Sequence, residues 1–351
     1  MTESIESLVE NWDGLAVVTR HHHETGSWIF VALHDATLGS PCGGTRLAHY
    51  PNPAAGLRDA MRLARGMTHK WAALKFSSGG GKAVLAVPDA LDSAGRRALL
   101  LDYGSLLESL GGVFSTGRDL GTTDDDMRVL SEVTTHVHGV DPETKQTRDP
   151  GPYTAHGVAA AMRAGLSSLY GSDDFAGRSV LIQGVGDVGE PLARRLVAAG
   201  ATLLLSDIDE ARVGALAKEL GASLIPVADV YDTECDLYAP CALGATLNEE
   251  TIPRLRCRAV VGSANNQLAE DGDADRLHER GILYAPDFIA NGGGALAFGL
   301  IHSGVTDNDT IAGMLDGIST TLGDVFRDAS DQGASPHRIA ISRIEALLSN
   351  R

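Results

Sequence analysis

Residues 180–189 read VLIQGVGDVG, and this short stretch decides the fold of the chain. An apolar strand runs directly into the pattern GxGxxG and a helical segment follows, which is the context that a dinucleotide-binding turn requires. Gly184 permits the tight turn, and Gly186 lets the amides of Asp187 and Val188 approach a pyrophosphate at the positive end of the helix. The stretch therefore predicts a βαβ unit that binds a dinucleotide.

The third glycine, Gly189, lets helix and strand pack closely, and beyond it short apolar strands alternate with helices. This alternation predicts a parallel, doubly wound sheet. A break rich in proline and charge at residues 141–152 predicts a domain junction, and a chain of 351 residues suits two domains. We expect the second, a Rossmann domain, at residues 150–328. Its further strands are TLLLSD (202–207), DLYAP (236–240), AVVGSA (259–264) and ILYAPD (282–287).

Asp207 ends the first strand after the glycine turn. A carboxylate at this place accepts hydrogen bonds from both hydroxyls of an adenosine ribose and repels a 2′-phosphate. No arginine follows it directly, and Arg212 lies a turn further along. The pattern therefore predicts NAD⁺ rather than NADP⁺ as the cofactor.

The region before the break has an α/β pattern of its own. Residues 15–38 read as two strands around a turn, and residues 54–69 have the apolar periodicity of a helix. Residues 83–87 form a strand, and residues 94–110 form a further helix. These elements predict a separate α/β domain at residues 1–140.

Two lysines and one aspartate of this region lie in unusual surroundings. Lys70 closes the first helix, and Lys82 follows Gly79–Gly81, whose uncovered amides would let a substrate approach closely. An ammonium group in such a place binds a carboxylate or, once desolvated, acts as a base. Asp119 lies between glycines in TGRDLGT (116–122). Taken alone, each of the three is more often a solvated surface charge.

Composition and charge exclude several classes of protein. The net charge is −17 and no basic run occurs, which argues against nucleic acids and anionic membranes as partners. The acidic N-terminus lacks a signal peptide's apolar core, and no apolar stretch reaches the ~18 residues of a membrane span. We expect a cytoplasmic protein without a metal. Its four cysteines form no CxxC pair and fit a reducing compartment: Cys42, Cys235, Cys241 and Cys257.

Taken together, these segments resemble the Glu/Leu/Phe/Val dehydrogenases, and among them the leucine, valine and phenylalanine dehydrogenases. The resemblance extends from about Asn11 to the C-terminal helix and keeps the order of the family's motifs. The matching segments are LGSPCGGTR (38–46), RLARGMTHK (62–70), SGGGKAV (78–84), STGRDLGTT (115–123), VLIQGVGDVG (180–189), LYAPCALGAT (237–246), GSANNQL (262–268) and GILYAPDFIANGGG (281–294).

The resemblance implies an α/β domain for substrate binding and oligomerisation, followed by a Rossmann domain, with the active site in the cleft between them. The C-terminal helix, about residues 330–351, would return to the first domain. The implied reaction is the NAD-dependent, reversible deamination of an apolar L-amino acid to the 2-oxo acid, ammonia and NADH. The implied assembly is a homo-oligomer.

The resemblance also implies roles for single residues of the first domain. Lys70 would pair with the substrate's α-carboxylate, together with backbone around Gly43 and Gly44. Lys82 would be the catalytic lysine, which polarises water or the carbonyl group. Asp119 would exchange protons with the substrate's amine.

Further implied contacts lie in the Rossmann domain. Thr154 and Asn265 would hold the nicotinamide end of the cofactor, with Asn291 nearby. Asn265 and Asn291 would also border the substrate.

Four positions would surround the substrate's side chain. In the glutamate dehydrogenases a lysine stands at the position of Cys42 and a serine near Phe298. Neither residue present here can pair with a γ-carboxylate, and burying that group unpaired would cost several kcal/mol. Gly117 and Ala295 are small and leave room for a branched or aromatic side chain, which favours phenylalanine, although Phe298 fills space. Gly293, where relatives usually have alanine, departs from the pattern.

Two alternatives stay open. One is an NAD-dependent homologue that acts on another oxo acid, and the other is a non-catalytic, NAD-binding regulator. The joint presence of Lys70, Lys82 and Asp119 argues against the regulator, which would not need them.

Overall fold

The computed structural model describes residues 5–140, 144, 147–305 and 307–349. The chain divides into two compact units. The first unit comprises the chain up to Asp149 and the stretch from Leu347 onwards, and the second unit covers Pro150–Ala346. The boundary lies within the predicted break at residues 141–152, part of which falls outside the described residues.

The first unit is built on a five-stranded sheet with the strand order β1-β2-β4-β3-β5. The strands β1, β2 and β4 pair antiparallel, whereas β3 is parallel to both β4 and β5. The strands are β1 (Ala16–His22), β2 (Ser27–Asp35), β3 (Pro41–His49), β4 (Gly79–Val87) and β5 (Ser115–Arg118), and the helices are α1 (Ile5–Glu10), α2 (Pro53–Ala73), α3 (Ser93–Ser109) and α4 (Asp124–Leu130).

Strand β4 is buried along its whole length because a helix covers each face of the sheet. Successive side chains of a strand point to opposite faces. Ala83 and Leu85 accordingly pack in one apolar cluster with residues of α3, and Val84 and Ala86 pack in another with residues of α2. The residues of β4 whose side chains lie on the same face of the sheet as Val84 are therefore beneath α2.

Helix α2 begins where Asn52 caps it, since the Asn52 side chain accepts a hydrogen bond from the amide of Ala55 at 3.0 Å. The sequence predicted this helix over residues 54–69, with Lys70 at its end. The helix continues to Ala73, one turn further, so that Lys70 lies inside its last turn. Lys75, with a φ of 55°, follows the end of the helix.

The second unit has a six-stranded sheet with the order β11-β10-β9-β6-β7-β8. All of its strands pair in parallel, as the sequence predicted. The order reverses at β6, and in such sheets ligands bind beside the carboxyl ends of the strands at the reversal. The strands are β6 (Ser179–Gln183), β7 (Thr202–Ser206), β8 (Ser223–Leu224), β9 (Glu234–Pro240), β10 (Arg256–Val260) and β11 (Leu283–Tyr284). The helices are α5 (Gly151–Tyr170), α6 (Gly189–Ala198), α7 (Glu210–Leu220), α8 (Gly272–Glu279), α9 (Asp287–Ala290), α10 (Gly293–His302), α11 (Asn308–Gln332) and α12 (Pro336–Ser349).

The resemblance implied that residues 330–351 return to the first domain, and the two compact units divide this stretch after Ala346. Through Ala346 this part of the chain belongs to the second unit. Just before α12, the Ser335 hydroxyl donates to Asp275 at 2.7 Å, and within α12 the ring of His337 packs against Phe288. A polar anchor and an aromatic contact thus hold most of α12 on the second unit.

All four cysteines carry free thiols. Within the described residues, no group of three or more His, Cys, Asp or Glu side chains could hold a metal ion. In the same part of the chain, no helix is long and apolar enough to cross a membrane.

Asp126 joins two helices of the first unit. It accepts hydrogen bonds from the amide of Thr123, which closes the N-terminus of α4, and from the guanidinium of Arg96 on α3. Burial by itself raises the pKa of Asp126, but the hydrogen bonds from Arg96 and Thr123 outweigh it and hold the pKa below the usual value. The ionised carboxylate therefore stabilises the fold at neutral pH, and this contribution is lost as the pH falls through the lowered pKa.

We expect Asp126→Asn to lower the free energy of unfolding by about 1.5–3 kcal/mol at neutral pH, because hydrogen bonds to a charged group are lost. The difference between variant and parent should shrink as the pH falls, since the parent's carboxylate becomes protonated. Urea unfolding followed by circular dichroism at several pH values measures this. Asp125→Asn, one residue away and 82% exposed, is the matched control and should change stability little. Equal effects of the two substitutions, or a pH-independent difference, would contradict the assignment.

Candidate active site

Lys82 and Asp119 form a buried ion pair in the first unit. Lys82 lies on β4 and points to the same face as Val84, beneath α2, with its side chain only 6% exposed. Asp119 directly follows β5, and its Oδ2 lies 3.0 Å from Nζ of Lys82. The two predicted catalytic residues are therefore in contact, although they come from strands on either side of β3.

Glycines of β3 make this contact possible. A Cβ on Gly44 would lie 2.8 Å from the Cβ of Asp119, and a Cβ on Gly43 would overlap the carbonyl oxygen of Gly81. Any other residue at either position would displace the ion pair or its neighbouring strand. The predicted backbone positions thus lie beside the predicted catalytic pair.

The surroundings of the pair change the acidity of both groups. Burial, the largest influence, lowers the pKa of Lys82; Asp119 raises it and Arg46 lowers it again, and the result lies below the usual value of a lysine. Burial alone would raise the pKa of Asp119, but the positive charges of Lys82 and Arg46 hold it below its usual value. The pair therefore combines an ammonium that loses its proton readily with a carboxylate that stays ionised, a combination suited to moving protons.

Arg46 and Asp59 extend the pair into a network that the sequence reasoning did not identify. Arg46 of β3 donates from Nε to Asp119 Oδ2 at 3.2 Å and from Nη1 to Asp59 Oδ2 at 2.9 Å. Tyr50 also donates its hydroxyl to Asp59, at 2.6 Å. The position of Arg46 at the end of LGSPCGGTR was the one available signal, whereas nothing in the sequence marked Asp59.

Lys70 lies in the last turn of α2, half-buried. Two neighbours in the helix attach this turn to the sheet. The indole of Trp71 donates to the carbonyl oxygen of Cys42 at 3.0 Å, and the hydroxyl of Thr68 lies 2.8 Å from a ring nitrogen of His34. These contacts fix the end of α2 from which Lys70 projects.

Cys42 and Gly117, predicted to surround the substrate's side chain, lie on β3 and β5. The Cys42 thiol is 3.5 Å from Nε2 of His138, and the same nitrogen is 2.7 Å from the hydroxyl of Ser115. Burial raises the pKa of Cys42 to about 12, so the thiol is neutral. Gly117 adjoins this group, since a Cβ there would lie 3.6 Å from the Cβ of His138. The sequence reasoning missed His138, which no motif marks.

In the second unit, the glycine turn has the geometry that its pattern predicts. Gly184 has a φ of 94°, and a Cβ on Gly189 would overlap the carbonyl oxygen of Gly184. A Cβ on Gly186 would meet no atom within 4 Å, so the space above this residue is open. Exposed Asp187 follows, and Val188, the N-cap residue of α6, makes no side-chain capping hydrogen bond. Open space at an uncapped helix N-terminus fits the pyrophosphate of a dinucleotide.

Asp207 follows β7 and is fixed by three hydrogen bonds. Its carboxylate accepts from the amides of Val185 and Asp209, at 2.7 and 2.9 Å, and from Nη2 of Arg212 at 3.2 Å. Burial alone would raise the pKa of Asp207, but these bonds hold it below the usual value. Arg212 therefore contacts the carboxylate of Asp207. The sequence did not predict this contact, because Arg212 lies a turn further along the chain.

Asn265 and Asn291 are in contact, as their shared predicted role requires. Nδ2 of Asn291 donates to Oδ1 of Asn265 at 2.9 Å and to the carbonyl oxygen of Ser263 at 3.2 Å. Oδ1 of Asn291 is buried and accepts no hydrogen bond from the residues described. An orphaned amide oxygen beside an exposed amide side chain fits a site for a hydrogen-bonding ligand such as a carboxamide.

Helix α10 carries Ala295 and Phe298, and it packs closely on α5. Phe298 is buried, with its ring 6.4 Å from that of Tyr153. Thr154, next along α5, donates its hydroxyl to the carbonyl oxygen of Pro150 at 3.0 Å. A Cβ on Gly293 would overlap the carbonyl oxygen of Tyr153. Glycine at this position, where relatives usually have alanine, therefore fits a helix contact that has no room for a side chain.

Models of one protein family match both units. The model described as "Glu/Leu/Phe/Val dehydrogenase, dimerisation domain" matches residues 20–136. The model described as "Glutamate/Leucine/Phenylalanine/Valine dehydrogenase" matches residues 203–302.

Individual relatives agree with the models. A leucine dehydrogenase of Bacillus cereus is 42% identical over 84% of this chain and 80% of its own length. A phenylalanine dehydrogenase of Lysinibacillus sphaericus is 42% identical over 78% of this chain and 72% of its own length. The crystal structure of L-tryptophan dehydrogenase from Nostoc punctiforme superimposes with a TM-score of 0.83, at 33% identity, over 99% of both chains. The chain therefore belongs to the Glu/Leu/Phe/Val dehydrogenase family and is an amino acid dehydrogenase, an oxidoreductase with a dinucleotide-binding domain.

Proposed function

We propose that the chain catalyses the reversible, NAD-dependent oxidative deamination of an apolar L-amino acid. The products are the 2-oxo acid, ammonia and NADH. The contact between Lys82 and Asp119, 3.0 Å long and buried beneath α2, is the observation that supports this most directly. It places two proton-accepting groups side by side. The deamination of an amino acid needs one for the substrate's ammonium group and one for the attacking water.

In this proposal the two residues act on different protons. Asp119, held ionised, takes a proton from the substrate's ammonium group and so frees the nitrogen lone pair. The chemistry that bound NAD⁺ supplies is acceptance of a hydride from the substrate's α-carbon. Lys82, in its neutral form, then takes a proton from the water that adds to the resulting iminium carbon. Asp119 returns its proton to the nitrogen of this adduct, and ammonia leaves as the adduct's hydroxyl group loses its proton to solvent and becomes the carbonyl of the 2-oxo acid. General acid–base catalysis of this kind typically contributes about 10²–10⁴ in rate.

Lys70 and the backbone at Gly43 and Gly44 bind the substrate's α-carboxylate in this proposal. An ammonium group held at the end of a fixed helix offers the charge, and uncovered amides of a glycine segment offer hydrogen bonds. This binding orients the α-carbon before any proton moves.

The proposed cofactor is NAD⁺, held by the second unit. The amides of the glycine turn from Gly186 to Gly189 would contact the pyrophosphate, and Asp207 would accept from the adenosine ribose. Thr154, Asn265 and Asn291 would hold the nicotinamide end, which is supported by the unpaired, buried Oδ1 of Asn291.

The proposed substrates have apolar side chains, with phenylalanine favoured over leucine and valine. The neutral thiol of Cys42 offers no charge to a γ-carboxylate, which argues against glutamate. Gly117 leaves room for a large side chain, and the family resemblance assigns Ala295 and Phe298 to the same substrate group. The relatives named leucine, phenylalanine and L-tryptophan dehydrogenase support this range.

Formation of NADH with a panel of L-amino acids at alkaline pH tests the proposal. We expect turnover with phenylalanine, leucine and valine and none with glutamate. Absence of turnover with every amino acid would instead support a homologue that acts on another oxo acid. Analytical ultracentrifugation of the same preparation tests the homo-oligomer that the family's dimerisation domain leads us to propose.

We expect Lys82→Ala to abolish turnover while NADH binding stays within a few-fold of the parent. The reason is that Lys82 lies on the first unit, whereas the glycine turn lies on the second. Steady-state kinetics and fluorescence titration with NADH measure the two effects. Lys218→Ala, which removes an exposed lysine of α7, is the control and should leave both unchanged. Near-normal turnover of Lys82→Ala would mean that the catalytic lysine is misassigned.

We expect Lys70→Ala to act mainly on substrate binding. Losing one partner of a charge pair with the substrate costs about 2–5 kcal/mol, and the carboxylate is present in both ground and transition states, so KM should rise more than kcat falls. Amination of ketones, which lack the carboxylate, should suffer less than amination of 2-oxo acids. Arg65→Ala, an exposed cation of the same helix, serves as the control. An unchanged KM would assign carboxylate binding elsewhere.

We expect strong preference for NAD⁺ over NADP⁺, because Asp207 repels a 2′-phosphate. Asp207→Ser should weaken use of NAD⁺ and allow NADP⁺, since Arg212, now bonded to Asp207 at 3.2 Å, would be released to pair with the phosphate. Adding Arg212→Gln should remove the gained NADP⁺ activity. Equal kcat/KM of the parent for both cofactors would contradict the assignment of Asp207.

A further inference from the structure

Arg46 contacts two carboxylates at once. Nε lies 3.2 Å from Oδ2 of Asp119, and Nη1 lies 2.9 Å from Oδ2 of Asp59. The three side chains are only 14–17% exposed, so water competes little for these bonds. An arginine side chain is flexible, but one held at two points of its planar group has a single orientation.

The second carboxylate is itself firmly held. Asp59 belongs to α2, and it accepts hydrogen bonds from the Tyr50 hydroxyl at 2.6 Å and from Arg62 at 2.8 Å. Arg46 thus connects the catalytic aspartate to a helix, through an anchor that does not depend on the substrate.

The two oxygens of Asp119 have different surroundings. Oδ2 receives both Nζ of Lys82, at 3.0 Å, and Nε of Arg46. Oδ1 receives no hydrogen bond from any described residue. A carboxylate bound in this way on one side has its orientation fixed and its other oxygen left for a further donor.

We propose that Arg46 is a positioning residue of the reaction: by bridging Asp59 and Asp119 it holds Oδ2 of Asp119 against Lys82 and leaves Oδ1 for the substrate's amino group. This inference rests on the function proposed above. It differs from a role of Arg46 in binding the substrate's carboxylate, because here Arg46 acts through Asp119 and not by contact with the substrate.

The charges around Lys82 give the inference a readout that a purely structural role would not change. Asp119 and Asp59 raise the pKa of Lys82, and Arg46 lowers it. His34 on β2 and Lys70 on α2 are further titratable groups of the elements packed on this face. Removing Arg46 therefore shifts the titration of Lys82 to higher pH, whereas neutralising Asp59 shifts it to lower pH.

Four variants of the full-length protein test the proposal through the pH dependence of kcat with an apolar L-amino acid. Arg46→Gln should lower kcat by about 10²-fold, the cost of misplacing a catalytic group by about 1 Å, and should move the pH of half-maximal kcat upward. Arg46→Lys keeps the charge but cannot bridge both carboxylates, so kcat should fall with a nearly unchanged pH midpoint. Asp59→Asn should lower kcat and move the midpoint downward.

Arg65→Gln is the matched control. It removes an exposed arginine of α2 that pairs with Asp13, and it should leave kcat and the pH midpoint at the parent's values. Circular dichroism and titration with NADH check that each variant folds. If Arg46→Gln does not fold, Arg46→Lys and Asp59→Asn still test the bridge.

Three results would overturn the proposal. One is a kcat of Arg46→Gln within about two-fold of the parent. Another is a rise in KM alone, which would assign Arg46 to carboxylate binding. The third is a loss of kcat in which the pH midpoints of Arg46→Gln and Asp59→Asn do not move in opposite directions. Turnover of the parent with an apolar L-amino acid, together with its loss in Lys82→Ala, separates these results from failure of the proposed function.

Discussion

Lys82 and Asp119 are charged groups beneath a helix, and a charge removed from water is stable only if a partner and further hydrogen bonds compensate for the lost hydration. Several elements of the first unit provide this compensation for Lys82 and Asp119. Glycines on the intervening strand let the two side chains meet, and α2 covers them, fixed to the sheet by Trp71 and Thr68. Arg46 supplies the second cation that keeps the aspartate ionised.

The sequence predicted those features that depend on residues close together in the chain. The glycine turn, the parallel sheet and the strand that ends at Asp207 are local patterns, and the family's motifs marked Lys82 and Asp119. The contacts of Arg46 with Asp59, and of Cys42 with His138, join residues on different elements, and no local pattern encodes them. The contacts of α12 with the second unit were missed for the same reason.

The site residues of the two units offer different chemical groups. In the second unit, the glycine turn offers backbone amides and empty space, which tolerate no added side chain at Gly189. In the first unit, the site is a set of buried side chains whose charges balance one another. The first kind of site is sensitive to bulk, and the second is sensitive to charge, so harmful substitutions in the two units should differ in chemical type.

The close approach of α5 and α10 bears on how substrate preference can change over evolutionary time. A Cβ on Gly157 would lie 2.9 Å from the Ile318 side chain and 3.1 Å from Gly293, and Gly293 itself has no room for one. The two helices therefore form a rigid unit at this crossing. In the proposed function Ala295 of α10 borders the substrate, so substitutions there would change selectivity without moving the helix.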